Sequence, residues 1–200
     1  MKTHKIVLFA SGSGSNVENI VHFFKHRGQV EVVAVLSNKK DAPVLDRCDR
    51  LKVPALYFNR TAFYETHTVL QVLQSLQPDL IVLAGFLWKI PQAMVRAFPK
   101  RMVNIHPSLL PKYGGKGMYG NHVHRAVHEN GEAETGITIH YVNEHYDEGA
   151  VIFQATTAVH PQDSTEDIAR KVHALEHAHF PKVLEGLLTG SGKRPEEGSA

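Results

Sequence analysis

Only one cysteine, Cys48, occurs among the 200 residues of this sequence. A single cysteine cannot close an internal disulfide, which excludes the disulfide-stabilised scaffolds typical of small secreted proteins. No apolar run approaches the roughly 20 residues that a membrane-spanning helix requires, and residues 1–5 show no signal-peptide core. These absences predict a cytoplasmic protein, in which Cys48 is a small buried residue of a helix and not a nucleophile.

The sequence also lacks an excess of charge of either sign. Lysine and arginine number 22, and aspartate and glutamate 20, so the net charge is +2 with histidine neutral. This balance predicts neither a nucleic-acid partner nor a membrane surface. At this length, with 42% hydrophobic residues, we expect one domain over residues 1–190 and a flexible polar tail over residues 191–200. A monomer and a homodimer are both compatible with the composition.

What the sequence does contain is an alternation of strand-like and helix-like segments. Residues 6–10 form an uninterrupted apolar run, typical of a strand covered on both faces, and Val17, Ile20, Val21 and Phe24 then recur at helical spacing. The rhythm continues with strands predicted at 30–36, 54–58, 80–84 and 102–106 and with helices at 42–51, 61–76 (capped by Thr61) and 91–98. Such alternation predicts a parallel sheet with helices on both faces.

The C-terminal half has a different pattern. Residues 136–142 alternate as in a half-buried strand, residues 151–159 form a second strand, and their short connection favours antiparallel pairing. A helix is expected over 121–130, and Ser164 with Asp167 forms a capping box for a long last helix. The predicted fold is an α/β, Rossmann-like three-layer sandwich in one domain, with a mostly parallel sheet and antiparallel strands in the C-terminal half.

The strand predicted at 102–106 ends in two polar residues, Asn104 and His106. Side chains alternate along an extended chain, so residues two apart share a face, and Pro107 ends the strand directly after them. An amide donor beside an imidazole suits acyl transfer, because the amide can stabilise an oxyanion while the imidazole moves a proton. The alternative is a strand end whose polar side chains only satisfy the local backbone.

A glycine-rich turn over residues 11–16 connects the first strand to the first helix. Glycine lets the backbone come close to a ligand, and the free amides at a helix N-terminus attract anions. Gly14, Ser15 and Asn16 are therefore candidates for binding a phosphomonoester, with a purely structural turn as the alternative. Val17 stands where the dinucleotide fingerprint needs a third glycine, and the Lys-Ser/Thr ending of a P-loop is missing.

Fourteen histidines suggest a competing hypothesis, a metal site. His173, Glu176 and His177 match an inverted zinc-protease pattern, and His124 and His128 lie four residues apart on a predicted helix. The sequence offers no third ligand and no cleft for them, and short motifs of this kind arise by chance in a histidine-rich chain. No metal site is therefore predicted.

Four segments taken together resemble a known family. They are Ser11-Gly12-x-Gly14-Ser15-Asn16, Leu83-Ala84-Gly85-Phe86, Asn104-Ile105-His106-Pro107-Ser108-Leu109-Leu110-Pro111 and Asp147-Glu148-Gly149-Ala150-Val151-Ile152. In order and spacing they are similar to the phosphoribosylglycinamide formyltransferases of purine synthesis, over about residues 5–187. The resemblance implies small-molecule substrates and no metal. A formyl group would pass from the co-substrate 10-formyltetrahydrofolate to the amine of N1-(5-phospho-D-ribosyl)glycinamide.

The resemblance also implies roles for residues far apart in the chain. Asn104, His106 and Asp147 would be catalytic, and the Asp147 carboxylate would raise the pKa of His106 and favour its charged form. On its own, the Asp-Glu-Gly sequence makes Asp147 an ordinary turn residue. The phosphate would lie at Gly14, Ser15 and Asn16. Glu176 would bind the ribose and His173 would lie near the phosphate, although the family more often has glutamine at that position.

A second set of residues would hold the folate, with the pterin between two segments and mainly main-chain contacts. These are Leu87, Trp88, Lys89 and Ile90 in one segment, Asn143, Glu144, His145, Tyr146 and Asp147 in the other, with Asn104 between them and Arg60 at the folate tail. Trp88 stands where the family often has an arginine. Residues 114–120 are expected to form a lid beside the site.

Other functions use the same Asn-Ile-His-Pro-Ser-Leu-Leu-Pro block, which methionyl-tRNA formyltransferase, formyltetrahydrofolate deformylase and sugar-amine formyltransferases share. The alternatives are hydrolysis of the formyl donor, transfer to another amine such as an amino sugar, or a phosphosugar- or folate-binding module without catalysis. The short chain argues against an added tRNA-binding or regulatory domain. The phosphate-binding turn favours the glycinamide ribonucleotide acceptor.

Overall fold

Seven strands form one mixed sheet in the computed structural model, which describes residues 3–190. The strands are β1 (His4–Phe9), β2 (Val30–Ser37), β3 (Ala55–Tyr57), β4 (Leu80–Leu83), β5 (Met102–His106), β6 (Glu134–Tyr141) and β7 (Val151–Ala158). The helices are α1 (Ser15–Phe24), α2 (Pro43–Leu51), α3 (Arg60–Tyr64), α4 (Thr68–Leu76), α5 (Gln92–Ala97), α6 (Asn121–Glu129) and α7 (Thr165–Thr189). Within this range no helix has both the length and the apolar character needed to cross a membrane. The tail predicted at 191–200 lies outside the described residues.

The strands lie in the order β3-β2-β1-β4-β5-β6-β7. The first five pair in parallel, while β6 pairs antiparallel with β5 and β7 antiparallel with β6. The predicted fold class is therefore confirmed.

The two faces of β1 show why the sheet is covered on both sides. Ile6 and Leu8 point into the core formed with α1, α2, α6 and α7, and Val7 and Phe9 point into the core formed with α3, α4 and α5. All four side chains are fully buried. Because successive side chains of a strand face opposite ways, a continuous apolar run is what a central strand of a three-layer sandwich needs.

One predicted element is wrong. Instead of a single helix capped by Thr61, the structure has two short helices, α3 and α4. Asn59 caps α3, since its side chain accepts from the Ala62 amide at 2.9 Å. The Thr66 hydroxyl bonds the Thr61 carbonyl, and His67 takes a left-handed conformation (φ 56°) before α4 begins. A side chain that competes for backbone carbonyls, followed by a left-handed residue, ends a helix.

The predicted capping box at the start of α7 is present: Ser164 Oγ accepts from the Asp167 amide at 3.1 Å, and Asp167 accepts from the Ser164 amide at 3.0 Å. Pro181 lies inside this helix and cannot donate to the carbonyl of His177 four residues earlier. Asn19 Nδ2, from α1, donates to that carbonyl instead, at 3.0 Å. The proline thus leaves a carbonyl through which α1 and α7 are joined.

Candidate active site

The site lies at the carboxyl ends of the parallel strands. A cavity of about 530 Å³ opens there, lined by segments 11–16, 84–87, 104–107 and 115–120 and by side chains of α6, α7 and the β6–β7 loop. In open parallel sheets, ligands bind where neighbouring strands send their chains to opposite faces. Here β1 leads to α1 on one face and its neighbour β4 leads to α5 on the other. The chain order therefore creates the cleft.

Asn104, His106 and Asp147 converge in this cavity. Asn104 Nδ2 lies 3.4 Å from Asp147 Oδ1, and His106 Nδ1 lies 3.5 Å from Asp147 Oδ2. Strand β5 directs the first two side chains to one side, and the β6–β7 loop brings in the aspartate with a left-handed backbone (φ 56°). The Gly115 amide also donates to Asp147 Oδ2, at 2.9 Å, so the segment predicted as a lid contacts this carboxylate. Asp147 is at once a turn residue and part of this cluster.

His140 was assigned no role from the sequence, yet it lies directly opposite Asn104 in the β5–β6 pairing. Its Nδ1 is 2.9 Å from the Tyr141 carbonyl, so Nδ1 carries the proton and Nε2 accepts from Asn104 Nδ2 at 3.1 Å. Nε2 is also 3.6 Å from Asp147 Oδ1. His140 therefore orients the Asn104 amide. The alternating pattern of residues 136–142 predicts on which face of the strand His140 lies. Only the strand register shows that Asn104 is its partner.

Burial reverses the expected charge state of His106. The removal of water around the buried ring lowers its pKa, and this outweighs the raising effects of Asp147 and of the Tyr113 carbonyl. From the sequence we expected Asp147 to raise the pKa of His106 and favour the charged ring. Asp147 does raise that pKa, but burial lowers it by more, so the predicted charge state is wrong. For Asp147 itself, burial raises the pKa, but contacts with His140, His106 and the Gly115 amide together lower it below the ordinary value.

The glycine turn and α7 meet on the other side of the cavity. Glu176 is 5% exposed, and its Oε2 accepts from Asn16 Nδ2 at 2.8 Å and approaches His173 Nδ1 at 2.9 Å. Contact with Glu176 raises the pKa of His173. No side chain caps the N-terminus of α1, so its first amides face the cavity beside Gly14 and Ser15. The structure thus brings together all five residues predicted to bind the phosphosugar.

The predicted folate residues are divided among several places. Leu87 lines the main cavity, and Tyr146, Asp147 and Asn104 lie between it and an adjoining cavity of about 60 Å³. That smaller cavity is also lined by Trp88, Lys89, Ile90, Asn143 and His145. Two residues line neither cavity: Glu144 bonds the Gln92 side chain, and the Arg60 guanidinium lies over the rings of Tyr64 (4.9 Å) and Trp88 (5.8 Å).

The histidine pairs of the metal hypothesis do not form a site. His177 and His128 are exposed, whereas His124 is 1% exposed and lies against the His173 ring at 6.2 Å. Burial, together with His173, lowers the pKa of His124 to about 4, so it is neutral at physiological pH. Within residues 3–190, no group of three His, Cys, Asp or Glu side chains is arranged to hold a metal ion.

A larger cavity, of about 830 Å³, lies beside strands β6 and β7 and is lined by Leu109, Lys112, Tyr113 and Glu132, among others. It contains none of the predicted site residues. Volume alone does not identify a site, so we assign the candidate active site to the cavity of about 530 Å³, where an amide, an imidazole and a carboxylate meet.

Comparison with known proteins agrees with this geometry. The family model described as Formyl transferase matches residues 4–184. The chloroplastic phosphoribosylglycinamide formyltransferase of Arabidopsis thaliana is 38% identical, over 97% of this chain and 68% of its own length. The phosphoribosylglycinamide formyltransferase of Escherichia coli (strain K12) is 37% identical, over 96% of this chain and 90% of its own length.

Solved structures agree as well. The crystal structure of phosphoribosylglycinamide formyltransferase from Anaplasma phagocytophilum superposes with a TM-score of 0.88 at 29% identity, covering 98% of this chain and 93% of that one. The chain therefore belongs to the formyl transferase family, and the relatives from Arabidopsis thaliana, Escherichia coli and Anaplasma phagocytophilum, each matched over at least 96% of this chain, are phosphoribosylglycinamide formyltransferases.

Proposed function

We propose that this protein transfers the formyl group of 10-formyltetrahydrofolate to the amine of N1-(5-phospho-D-ribosyl)glycinamide, giving formylglycinamide ribonucleotide and tetrahydrofolate. One observation carries the proposal. The cluster of Asn104, His106 and Asp147 opens into the same cavity as the glycine turn and the buried carboxylate of Glu176. A phosphosugar bound at the turn would have its amine within the same enclosure as a carbonyl at the cluster.

Asn104 stabilises the oxyanion that forms when the amine attacks the formyl carbon. One of the two hydrogens on Asn104 Nδ2 is donated to His140, which fixes the plane of the amide. The other hydrogen makes only a long contact of 3.4 Å to Asp147. That second hydrogen is available to a developing oxyanion. A preorganised donor of this kind contributes about 3 kcal/mol to the transition state.

His106 transfers the proton from the amine to the leaving group. Its lowered pKa keeps the resting ring neutral at physiological pH, so it accepts a proton from the attacking nitrogen and then donates it to N10 of the departing tetrahydrofolate. The Asp147 carboxylate, 3.5 Å from Nδ1, stabilises the transient imidazolium. The proton taken from the amine is the one that leaves on N10, so the step balances without a metal.

The phosphosugar is held at both ends. The free amides at the start of α1, from Gly14 to Asn16, bind the phosphate. Asn16 and His173 both use Oε2 of Glu176, so Oε1 is left to accept from the ribose hydroxyls. His173, whose raised pKa favours its charged form, adds a positive charge on the phosphate side.

The folate lies with its pterin between segments 87–90 and 143–147, beside the cavity of about 60 Å³ that residues of both segments line. Trp88 and Lys89 line this cavity. The Lys89 ammonium lies 5.6 Å from the Tyr146 ring. Arg60, whose guanidinium lies over the rings of Tyr64 and Trp88, would bind the carboxylate of the folate tail. Residues 1–190 act as one formyltransferase domain in the cytoplasm, as a monomer or a homodimer.

The test is an assay of tetrahydrofolate release with 10-formyltetrahydrofolate and one of three acceptors. We expect turnover with N1-(5-phospho-D-ribosyl)glycinamide, and almost none with an amino sugar or with water alone. His106→Ala should remove most of the rate, and Asn104→Ala should lower the rate about 100-fold. Donor consumption that does not depend on an amine would instead identify a hydrolase.

A further inference from the structure

One contact to His106 comes from a residue that the proposed reaction does not use. His106 Nε2 lies 2.7 Å from the backbone carbonyl oxygen of Tyr113. A carbonyl oxygen only accepts, so Nε2 carries the proton in this contact. The neutral ring then has its lone pair on Nδ1, the nitrogen that lies 3.5 Å from Asp147 Oδ2.

Tyr113 is held in an unusual conformation by its side chain. Its backbone is left-handed (φ 56°), which is uncommon for a residue other than glycine. Its hydroxyl donates to Glu132 Oε1 at 2.9 Å, and Lys112 Nζ lies 3.0 Å from each oxygen of the same carboxylate. The Glu132 carboxylate therefore anchors the far end of the tyrosine while its carbonyl faces His106.

The turn that precedes Tyr113 is fixed to the sheet. Thr138 Oγ1, on β6, donates to the Ser108 carbonyl at 2.7 Å and lies 3.0 Å from the Leu110 amide, and the Ser108 hydroxyl donates to the Lys112 carbonyl at 2.6 Å. The backbone up to Lys112 is thus anchored independently. The direction of the next carbonyl, that of Tyr113, depends on the bond to Glu132.

We propose that Tyr113 is a positioning residue: anchored by Glu132, its carbonyl keeps His106 in the Nε2–H tautomer, so that Nδ1 is the nitrogen that takes and returns the proton. In the reaction, an N–H bond of the attacking amine breaks as the Nδ1–H bond forms beside Asp147, and Nδ1 then releases this proton to N10. The catalytic part rests on the proposed function, whereas the tautomer is a property of the resting protein.

Several titratable side chains face His106 in addition to the Tyr113 carbonyl. Asp147 approaches from the β6–β7 loop, His140 from β6, Glu176 from α7 and His124 from α6. The Tyr113 hydroxyl donates to none of them but to Glu132, so its removal takes away no direct bond to these groups. A hydrogen bond to the Tyr113 carbonyl favours the charged ring, so losing it shifts the His106 titration to lower pH.

The experiment measures the tautomer and titration of His106 by NMR of protein labelled with ¹⁵N in histidine, on Tyr113→Phe and Glu132→Ala. We expect neutral wild-type His106 to show a protonated Nε2 and a bare Nδ1. Both variants should show a mixture of tautomers, a lower midpoint of titration, and kcat reduced about 10-fold, which corresponds to one lost hydrogen bond of about 1.4 kcal/mol. KM should change less than about 2-fold, because the substrate contacts are untouched.

Two controls separate positioning from general loss of structure. Glu132→Gln keeps an acceptor for the Tyr113 hydroxyl and should retain the wild-type tautomer and most of kcat. Tyr57→Phe removes a hydroxyl from an exposed residue of the distant edge strand β3 and should change nothing. In Glu132→Ala, adding Tyr113→Phe should cause no further loss, because both changes remove the same bond.

A protonated Nδ1 in neutral wild-type His106, or an unchanged tautomer and midpoint in both variants, would overturn the proposal. Glu132→Ala removes the anchoring bond from the other side, so the result does not depend on the folding of one variant. The NMR measurement needs no substrate. An inactive wild-type protein with the expected tautomer would therefore count against the proposed function alone.

Discussion

Asn16 Nδ2 lies 2.8 Å from Glu176 Oε2, so one buried hydrogen bond joins the first turn of α1 to the middle of α7 across 160 positions of sequence. The helix that presents free amides to the cavity is thereby fixed to the helix that presents the carboxylate. The spacing between the glycine turn, proposed to bind the phosphate, and Glu176, proposed to bind the ribose, depends on this bond.

Glu176→Gln removes the charge that Asn16 and His173 share. Because hydrogen bonds to charged groups are worth about 1.5 kcal/mol or more, we expect KM for N1-(5-phospho-D-ribosyl)glycinamide to rise at least about 10-fold. kcat should change less, since the reaction is proposed to take place at Asn104, His106 and Asp147 and not at Glu176. Steady-state kinetics with the acceptor varied provide the measurement.

The matched control is Glu185→Gln in the same helix, whose carboxylate pairs with Arg27 on the surface at 2.8 Å. It should leave both constants unchanged. A Glu176→Gln enzyme with lowered kcat and normal KM would show that Glu176 supports the chemistry and not the binding of the phosphosugar.

The pH dependence follows from the lowered pKa of His106. A base with a lowered pKa stays neutral to lower pH, so kcat/KM should be level at neutral pH and fall only below about 6.5, the ordinary value for histidine. Asp147→Asn removes a charge that raises the His106 pKa. The acid limb should therefore move to still lower pH while the rate at neutral pH falls, because the imidazolium loses its partner. An acid limb that moves to higher pH in Asp147→Asn would contradict this account.

The stability of the protein should depend on pH through His124. Its pKa is about 4 in the folded protein against about 6.5 when unfolded. The unfolded chain therefore binds a proton first as the pH falls. Stability that is fully present above pH 6.5 is lost progressively down to pH 4, by about 3 kcal/mol in total from this residue.

Urea unfolding of His124→Phe at several pH values tests this, because phenylalanine is similar in size and does not titrate. The free energy of unfolding should vary less between pH 7 and pH 5 than in the wild type. His128→Gln, an exposed residue of the same helix, should keep the full pH dependence. If the free energy of unfolding changes with pH as steeply in His124→Phe as in the wild type, His124 does not contribute to the pH dependence of stability.

Gly14 is required for two separable reasons. Its φ of 76° is unfavourable for other residues, and an added Cβ would lie 2.4 Å from Val44 Cγ2. Gly14→Ala should therefore destabilise the protein by roughly 2 to 4 kcal/mol and weaken phosphosugar binding, as thermal unfolding and KM would report.

Gly28→Ala provides the comparison, since Gly28 also has a positive φ, 65°, but no atom lies within 4 Å of its added Cβ. It should cost only about 1 to 2 kcal/mol and leave KM unchanged. In a Val44→Ala background, Gly14→Ala should lose part of its effect. Equal destabilisation by the two glycine substitutions would mean that the contact with Val44 contributes nothing.

Much of the site could be predicted because its signals are local. The shared face of Asn104 and His106 follows from strand alternation, and the turn proposed to bind the phosphate is predicted from glycines placed before an amphipathic helix. The helix expected from Thr61 failed for a local reason as well: a good capping residue at Asn59 and the Thr66 hydroxyl outweighed the apolar spacing.

The amino-acid sequence by itself determined the order of the strands, all helices except the division of residues 60–76 into α3 and α4, the polar end of β5 and the glycine turn, since these depend on residues a few positions apart. The tertiary structure alone decided that His140 orients Asn104, that Glu176 meets Asn16, and that His106 rests neutral. These three features depend on strand register, on contacts between distant segments and on the loss of water around a buried ring. All of these are set only when the whole chain folds, because they involve residues that lie far apart in the sequence.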